Sequence, residues 1–481
     1  MASSLLSYQD AVRELDARGQ GIRPDLGRIR ALVDLLDHPE RTYPSIQVTG
    51  TNGKSSTVRM IGRILAAHGL KSGLYSSPRL QSIRECFVVA DELSTDLISQ
   101  EDFAATLRYL KPFVEMVELQ RDEDVTSFEL LTAMAFEWMA QQTVAAGVFE
   151  VGLGGAWDAT NVVEGQVAAI TRVAVDHERF LGATPLDNAR EKVGIVKPGA
   201  RVVSADQDPE VLSLIERTVS EAGGELALLG RDFAVASNKL AVSGRALVVR
   251  GMHDRYEELF VPMHGSHQGA NAAVAVAACE AFLGRALDPE ALRAGLARAS
   301  LPGRMEVVSR QPLVVLDGAH NPAASRLLGP ALREAFGQPR ATFVISIFED
   351  KDAEGVLGWL LPWADRVAFA PSSSPRSTDP AHLAALAEAI AARAGVPAGP
   401  APASGESAPA PGGSSPAGTV HGGPNGVVNG AAARLEVQVA GSIEAAVDAV
   451  LATSEPDDMV VVCGSLHAVG QVRNHLVGAL D

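Results

Sequence analysis

The chain has 481 residues, 41 of them basic and 58 acidic, for a net charge of −17. Such a surface repels nucleic acid and anionic membrane, so an anionic substrate must be caught by local positive groups. Three scattered cysteines (Cys86, Cys279, Cys463) make neither a disulfide framework nor a zinc site, and no uninterrupted apolar run approaches the ~20 residues that cross a bilayer.

Asp10, Arg13, Glu14 and Asp16 follow Leu5 and Leu6 too closely for a signal-peptide core, and the expected location is the cytoplasm. Residues 7–38 read as two amphipathic helices broken at 18–24. A β-rich run then enters Gly50-Thr51-Asn52-Gly53-Lys54-Ser55-Ser56-Thr57, followed by a helical run over 58–70. A strand feeding a glycine turn and a helix N-terminus forms a cradle of N–H groups for phosphate, with Lys54 reaching the outer phosphates. The usual pattern has a glycine where Val48 stands, so this is a shortened phosphate loop or a tight strand–helix turn.

Strands at 71–76, 144–151 and 167–175, with helices at 101–119, 127–142 and 186–196, continue a strand–helix alternation to about residue 230. That alternation predicts a doubly wound, mostly parallel sheet. Residues 233–262 read as a small antiparallel insertion, 267–284 and 288–299 as helices, and 300–304 as a hinge. Alternation resumes with strands at 312–317, 341–347, 366–370, 435–439 and 459–463. Helices at 323–336, 353–361, 380–394, 442–453 and 466–479 lie between and after them, giving a second, Rossmann-like α/β domain. The expected division is 1–300 and 301–481. Residues 394–433 collapse into Ala, Pro, Gly and Ser and read as a disordered insertion.

In an open parallel sheet ligands bind at the carboxyl ends of strands. Ser77, Glu150 and His177 all stand at such ends, and Glu150 is the natural magnesium ligand among them, unless it is simply a loop acid. Asp176 is placed to orient His177. Asp317-Gly318-Ala319-His320-Asn321-Pro322 starts a helix, where Asn321 is either part of a polar pocket or a plain N-cap. Arg304 in the hinge could hold a phosphate on domain closure.

Together these motifs resemble the folylpolyglutamate synthase and dihydrofolate synthase family of the Mur ligase superfamily. They include Gly50 to Ser55, Ser76-Ser77-Pro78, Glu150 to Gly155, Asp158-Ala159-Thr160-Asn161, Asp176-His177, Glu191 to Ile195, His267-Gln268, Asn271-Ala272, Gly303-Arg304 and Asp317 to Asn321. The resemblance implies an ATP-dependent ligase that phosphorylates a folate-type carboxylate and joins it to L-glutamate, acting as a monomer. It further implies nucleotide contacts from Thr51, Asn52, Gly53, Lys54, Ser55, Ser56, Asn271, Arg304 and Asp317. Magnesium, as one ion or two, would be held by Ser77, Glu150 and His177, with a carbamylated Lys192 and a catalytic His320 nearby. Three positions depart from the family pattern: Arg79 replaces a histidine, Cys86 an arginine, and Ala156 the arginine of a Gly-Gly-Arg run. Arg84 stands near enough in sequence to supply the missing charge. These changes permit a related amide ligase with a different carboxylate acceptor; a third reading, a nucleotide-binding regulator that has lost catalysis, is opposed by the retention of Lys54, Glu150, His177, Lys192, Asp317 and His320.

Overall fold

The computed structural model describes residues 6–19, 21, 23–337, 341–395, 398–400 and 435–480. Eight strands form the first sheet: β1 (Ser45–Thr49), β2 (Ser72–Tyr75), β3 (Phe87–Ala90), β4 (Thr95–Leu97), β5 (Ala146–Glu150), β6 (Val167–Ile170), β7 (Arg201–Ser204) and β8 (Glu225–Leu228). Their order is β4-β3-β2-β5-β1-β6-β7-β8. Pairing is parallel from β2 to β8, while β3 and β4 turn back antiparallel at one edge. Sequence reasoning missed this hairpin, because four buried residues in a row carry no period that separates strand from helix.

The central strands are buried on both faces, and period 2 sorts their side chains. Ile46 and Val48 of β1, with Ala146 and Val148 of β5, face the helices Lys54–Ala67 and His267–Leu283. Phe149 points oppositely, into a core with the helices Tyr8–Ala17, Gly27–Leu35, Gln100–Arg121 and Ser127–Gln141. Glu150 shares the parity of Val148, so it emerges on the face of the Lys54–Ala67 helix. Gly62 lets that helix lie close on the sheet, since a Cβ there would meet Leu74 at 2.5 Å.

The antiparallel insertion is a three-stranded sheet of β9 (Ala234–Ala241), β10 (Gly244–Arg250) and β11 (Arg255–Val261) in the order β11-β10-β9. The second large sheet contains β12 (Glu306–Arg310), β13 (Leu313–Leu316), β14 (Ala341–Ile345), β15 (Arg366–Phe369), β16 (Ala398–Pro400), β17 (Leu435–Val439) and β18 (Met459–Cys463). Its order is β12-β13-β18-β14-β15-β17-β16, parallel except for β12. Two expectations need correcting. Ala398–Pro400, inside the stretch read as a disordered insertion, pairs in parallel with β17; residues 401–434 lie outside the described residues. The expected strand over 167–175 ends at Ile170, and 171–177 is a loop that braces the phosphate turn. Among the described residues no helix is long and apolar enough to cross a membrane.

Candidate active site

The phosphate turn begins where β1 ends. Gly50 has φ +137°, and a Cβ on it would sit 1.9 Å from Thr171 Oγ1; Gly53 has φ +91°, and its Cβ would sit 2.4 Å from Asn271 Oδ1. Only glycine fits either place. The helix then starts at Lys54, one turn before the expected residue 58. Its first turn is polar and carries no apolar period, but Thr57 Oγ1 donates to the Gly53 carbonyl at 2.9 Å and closes it. Thr51 serves as a brace: its N–H donates to the Arg172 carbonyl, and its hydroxyl exchanges hydrogen bonds with Ala174 at 2.8 and 2.9 Å. Lys54 Nζ donates to the Thr51 carbonyl at 3.0 Å, curled over the turn.

The residues that the resemblance assigns to nucleotide, magnesium and catalysis line one cleft between the two large sheets, including Ser56, Ser77, Glu150, His177, Lys192, Asn271, Arg304, Asp317 and His320. Ser55 Oγ donates to Glu150 Oε1 at 2.9 Å, while Glu150 Oε2 is buried with no hydrogen-bond partner among the described residues. Burial raises the Glu150 carboxyl to about 7 against the opposing pull of Lys54 and Ser55. Burial and the charge of Lys351 lower His177 to about 4, so its ring is neutral near pH 7. His177 lies in the left-handed region at φ 52°, a conformation costing about 1 kcal/mol or more for a side-chain-bearing residue. Its N–H is held by Asp176 Oδ1 at 2.8 Å, so Asp176 orients the backbone of His177 rather than its ring.

Asp176 is the hub of the cleft. Besides His177 it accepts from Lys351 Nζ at 2.7 Å and Asn321 Nδ2 at 3.0 Å, and its Oδ2 lies 3.5 Å from His320 Nε2. Burial alone would raise its carboxyl, but the His320 hydrogen bond and the Lys351 charge outweigh that and hold it well below the usual carboxylate range. Three of these partners come from the second sheet's loops, so the hub joins the two halves. Asn321 has both roles foreseen for it. Its Oδ1 caps the helix Pro322–Phe336 through Ala324 N at 2.9 Å, and its amide exchanges two 3.1 Å hydrogen bonds with Asn52. His320 Nδ1 donates to the Gly318 carbonyl at 2.8 Å. Asp317 is spent on backbone, accepting from Met305 N at 2.9 Å and Ala319 N at 2.8 Å, which fixes the hinge around Arg304. Gly318 leaves room for that guanidinium; a Cβ there would meet Arg304 NH1 at 2.2 Å.

Lys351 escaped sequence reasoning. The signal was its place in Glu349-Asp350-Lys351-Asp352, a charged run just beyond the carboxyl end of β14, where ligands bind. The three departures also have physical settings. Arg79 lies 3.5 Å from Asp16. Cys86 is buried, which pushes its thiol up to about 12. Arg84 Nε donates to the Ile98 carbonyl at 2.7 Å. Ala156 abuts Gly194, whose Cβ would lie 2.5 Å from the Ala156 Cα.

Comparison with known proteins gives this cleft a family. Residues 48–279 match the Mur ligase middle domain and 303–404 the Mur ligase glutamate ligase domain. The dihydrofolate synthase/folylpolyglutamate synthase of Mycobacterium tuberculosis is 38% identical over 385 residues, 76% of this chain and 78% of the relative. The Bacillus subtilis protein of the same name is 34% identical, over 77% of this chain and 87% of its own. A crystal structure of M. tuberculosis folylpolyglutamate synthase with ADP and AMPPCP superposes with a TM-score of 0.82 at 33% identity, covering 98% of each chain. The Escherichia coli enzyme with DHPP and ADP gives 0.79 at 27% identity, covering 99% of this chain and 98% of that one. The chain belongs to the folylpolyglutamate synthase/dihydrofolate synthase family of Mur ligases.

Proposed function

We propose that this protein is an ATP-dependent ligase that joins L-glutamate to a folate-type carboxylate, dihydropteroate or a reduced folate, through an acyl phosphate. The observation that carries the reading is the cleft itself. A glycine-built phosphate turn on one half faces a ring of second-half side chains, His320, Asn321 and Lys351, that meet it through Asp176. In a chain of net charge −17, Lys54 and Arg304 in the cleft supply the local positive charge that an anionic substrate needs.

The nucleotide phosphates lie on the N–H groups at the start of the Lys54–Ala67 helix, with Lys54 neutralising charge on the transferring group. A carboxylate oxygen of the folate acceptor attacks the γ-phosphorus, the β–γ bridge breaks, and ADP leaves. The amine of L-glutamate, having lost its ammonium proton, attacks the acyl carbon; phosphate leaves as the amide forms. We assign His320 to hold a proton during this step, its Nδ1 being tied to Gly318 and its Nε2 facing the cleft beside Asp176. Asp176, Asn52 and Asn321 keep the halves together, which excludes water from the acyl phosphate.

The donor set fits magnesium. Among the described residues no three His, Cys, Asp or Glu side chains cluster as a metal site. Magnesium keeps waters and substrate phosphates, however, and takes only one or two protein carboxylates. The unpartnered, buried Oε2 of Glu150 is such a ligand, with Ser77 and the neutral His177 on the same wall. The ion would neutralise phosphate charge when bound. Lys192 is buried, and burial, with Lys54 adding repulsion, brings its amine down to about 7. A neutral amine is the form that adds to CO2, giving a carbamate and releasing one proton, and we assign Lys192 that modification. We place the boundary between the two domains near residue 300 and take the protein as a cytoplasmic monomer.

The test is phosphate release with ATP, magnesium and L-glutamate, comparing dihydropteroate, tetrahydrofolate and no acceptor. Release with either folate and not without supports the reading. Release with neither overturns it in favour of a ligase with another acceptor, a reading that the departures at Arg79, Cys86 and Ala156 permit. The two folate arms also separate dihydrofolate synthesis from chain extension.

A further inference from the structure

The antiparallel sheet β9–β11 takes no part in the reaction as described, yet it carries a buried cation that touches both halves of the molecule. Arg245 of β10 is 2% exposed, and its NH1 lies 2.6 Å from Glu334 Oε1 on the helix Pro322–Phe336. Its other nitrogens grip β9: Nε donates to Asn238 Oδ1 at 2.7 Å and NH2 to the Asn238 carbonyl at 3.1 Å. Asn238 Nδ2 in turn donates to the Ser266 carbonyl at 2.7 Å, at the start of the helix His267–Leu283. The fit there is close, since a Cβ on Gly269 would meet Asn238 Nδ2 at 2.5 Å. Beside this contact His264 packs edge-on against Phe336, with ring centroids 5.0 Å apart.

Beyond Ser266 the network reaches the phosphate turn. Gln268 Oε1 accepts from Asn271 Nδ2 at 3.0 Å, and Asn271 Oδ1 lies over Gly53 where a Cβ would be 2.4 Å away. The far end of the Glu334 helix begins at Asn321, which is bonded to Asn52 of the same turn. Two helices that both end on the phosphate turn are thus tied together at their sides through Arg245.

Stability alone does not call for such a pair, because replacing buried ion pairs by well-packed apolar groups is commonly neutral or favourable. What apolar side chains do not supply is a fixed register between two elements, and a forked guanidinium with three acceptors does. We propose that Arg245 is a positioning residue for the nucleotide half of the cleft. Seating Glu334 of the second half locks Asn238 against Ser266, and this sets His267, Gln268 and Asn271 over the phosphate turn. The antiparallel insertion is then the strut through which the second half reports its position to the nucleotide site. The proposal rests on the ligase reading for its kinetic test, but nucleotide affinity reads it separately.

The experiment uses the full-length protein. Glu334→Gln removes the charge of one link and Asn238→Ala the side-chain part of the other while leaving the core intact, and Arg245→Met and Arg245→Lys address the fork directly. Melting temperature controls for folding. Expected is a rise in KM for ATP, and in the Kd of a non-hydrolysable ATP analogue, of about fivefold or more for Glu334→Gln and Asn238→Ala. The double variant should be no worse than the poorer single one, as links in a single path are non-additive. Arg245→Lys should fall between wild type and Arg245→Met. The proposal is overturned if both single variants fold and keep KM and Kd within about twofold of wild type, or if their effects simply add. A wild-type protein that binds the analogue but releases no phosphate overturns the ligase reading while leaving the Kd comparison to decide this one.

Discussion

Removing Lys351 tests whether the two halves are held together by charge at Asp176. The ammonium lies 2.7 Å from Asp176 Oδ1, and the two side chains are 7% and 10% exposed. At an effective dielectric of about 20, unit charges at that distance attract by roughly 6 kcal/mol. Desolvation takes back much of this, and removing one partner of a buried pair costs about 3–5 kcal/mol. Asp176 would keep Asn321 and the His177 N–H, so Lys351→Met should fall at the low end, about 3 kcal/mol or a hundredfold in the population of the joined state. Turnover should drop by a similar factor under subsaturating substrates, while the binding of ADP, held mainly by the first half, changes little. A double-mutant cycle with Asp176→Asn isolates the pair from any contact of Lys351 with substrate. A coupling energy below about 0.5 kcal/mol, or unchanged turnover in Lys351→Met, would refute the reasoning.

Lys54→Ala should lower kcat by about a hundredfold or more with little change in melting temperature, since it removes charge from the transferring phosphate; near-normal turnover would show that the phosphate turn is misassigned. Gly53→Ala should weaken nucleotide binding measured by calorimetry, because its Cβ would strike Asn271 Oδ1 and φ +91° is strained for alanine. Lys192 gives a pH prediction in CO2-free buffer. In the folded chain its amine titrates near 7, below the ordinary lysine value of 10.5, so between those pH values the unfolded chain binds more protons and stability rises with pH. Lys192→Met should flatten that rise in chemical denaturation series at pH 7 to 10; an identical slope would show that Lys192 is not the group responsible. Removing residues 404–430 should leave turnover intact, whereas removing 394–433 also deletes the edge strand Ala398–Pro400 and should lower the melting temperature.

Much of the fold was legible because the long alternating run from residue 45 to 230 has strong periods, and glycines mark its turns. What escaped was short or polar. In the hairpin, β3 is too buried and the three-residue β4 too brief for a period to register, and the first turn of the Lys54–Ala67 helix is polar, lining the cleft. β16 lay hidden in a stretch whose composition offers no apolar area, and its pairing with β17 supplies the order that composition does not.

The sequence by itself determined the chemistry available: a shortened phosphate turn, strand-end groups at Ser77 and Glu150, an acid–imidazole pair at Asp176 and His177, and a second acidic and imidazole cluster at Asp317 and His320. Local rules suffice for these, because a glycine turn and a strand end are short-range features. Only the tertiary structure decided how the groups are spent. Thr51 and Asp317 turn out to brace backbone, Asp176 proves to be the junction, and Lys351 reaches it from 175 positions away in the chain. Burial decided the rest, since a carboxyl raised to about 7 at Glu150 and an amine lowered to about 7 at Lys192 come from loss of water around them, which no local pattern of residues records.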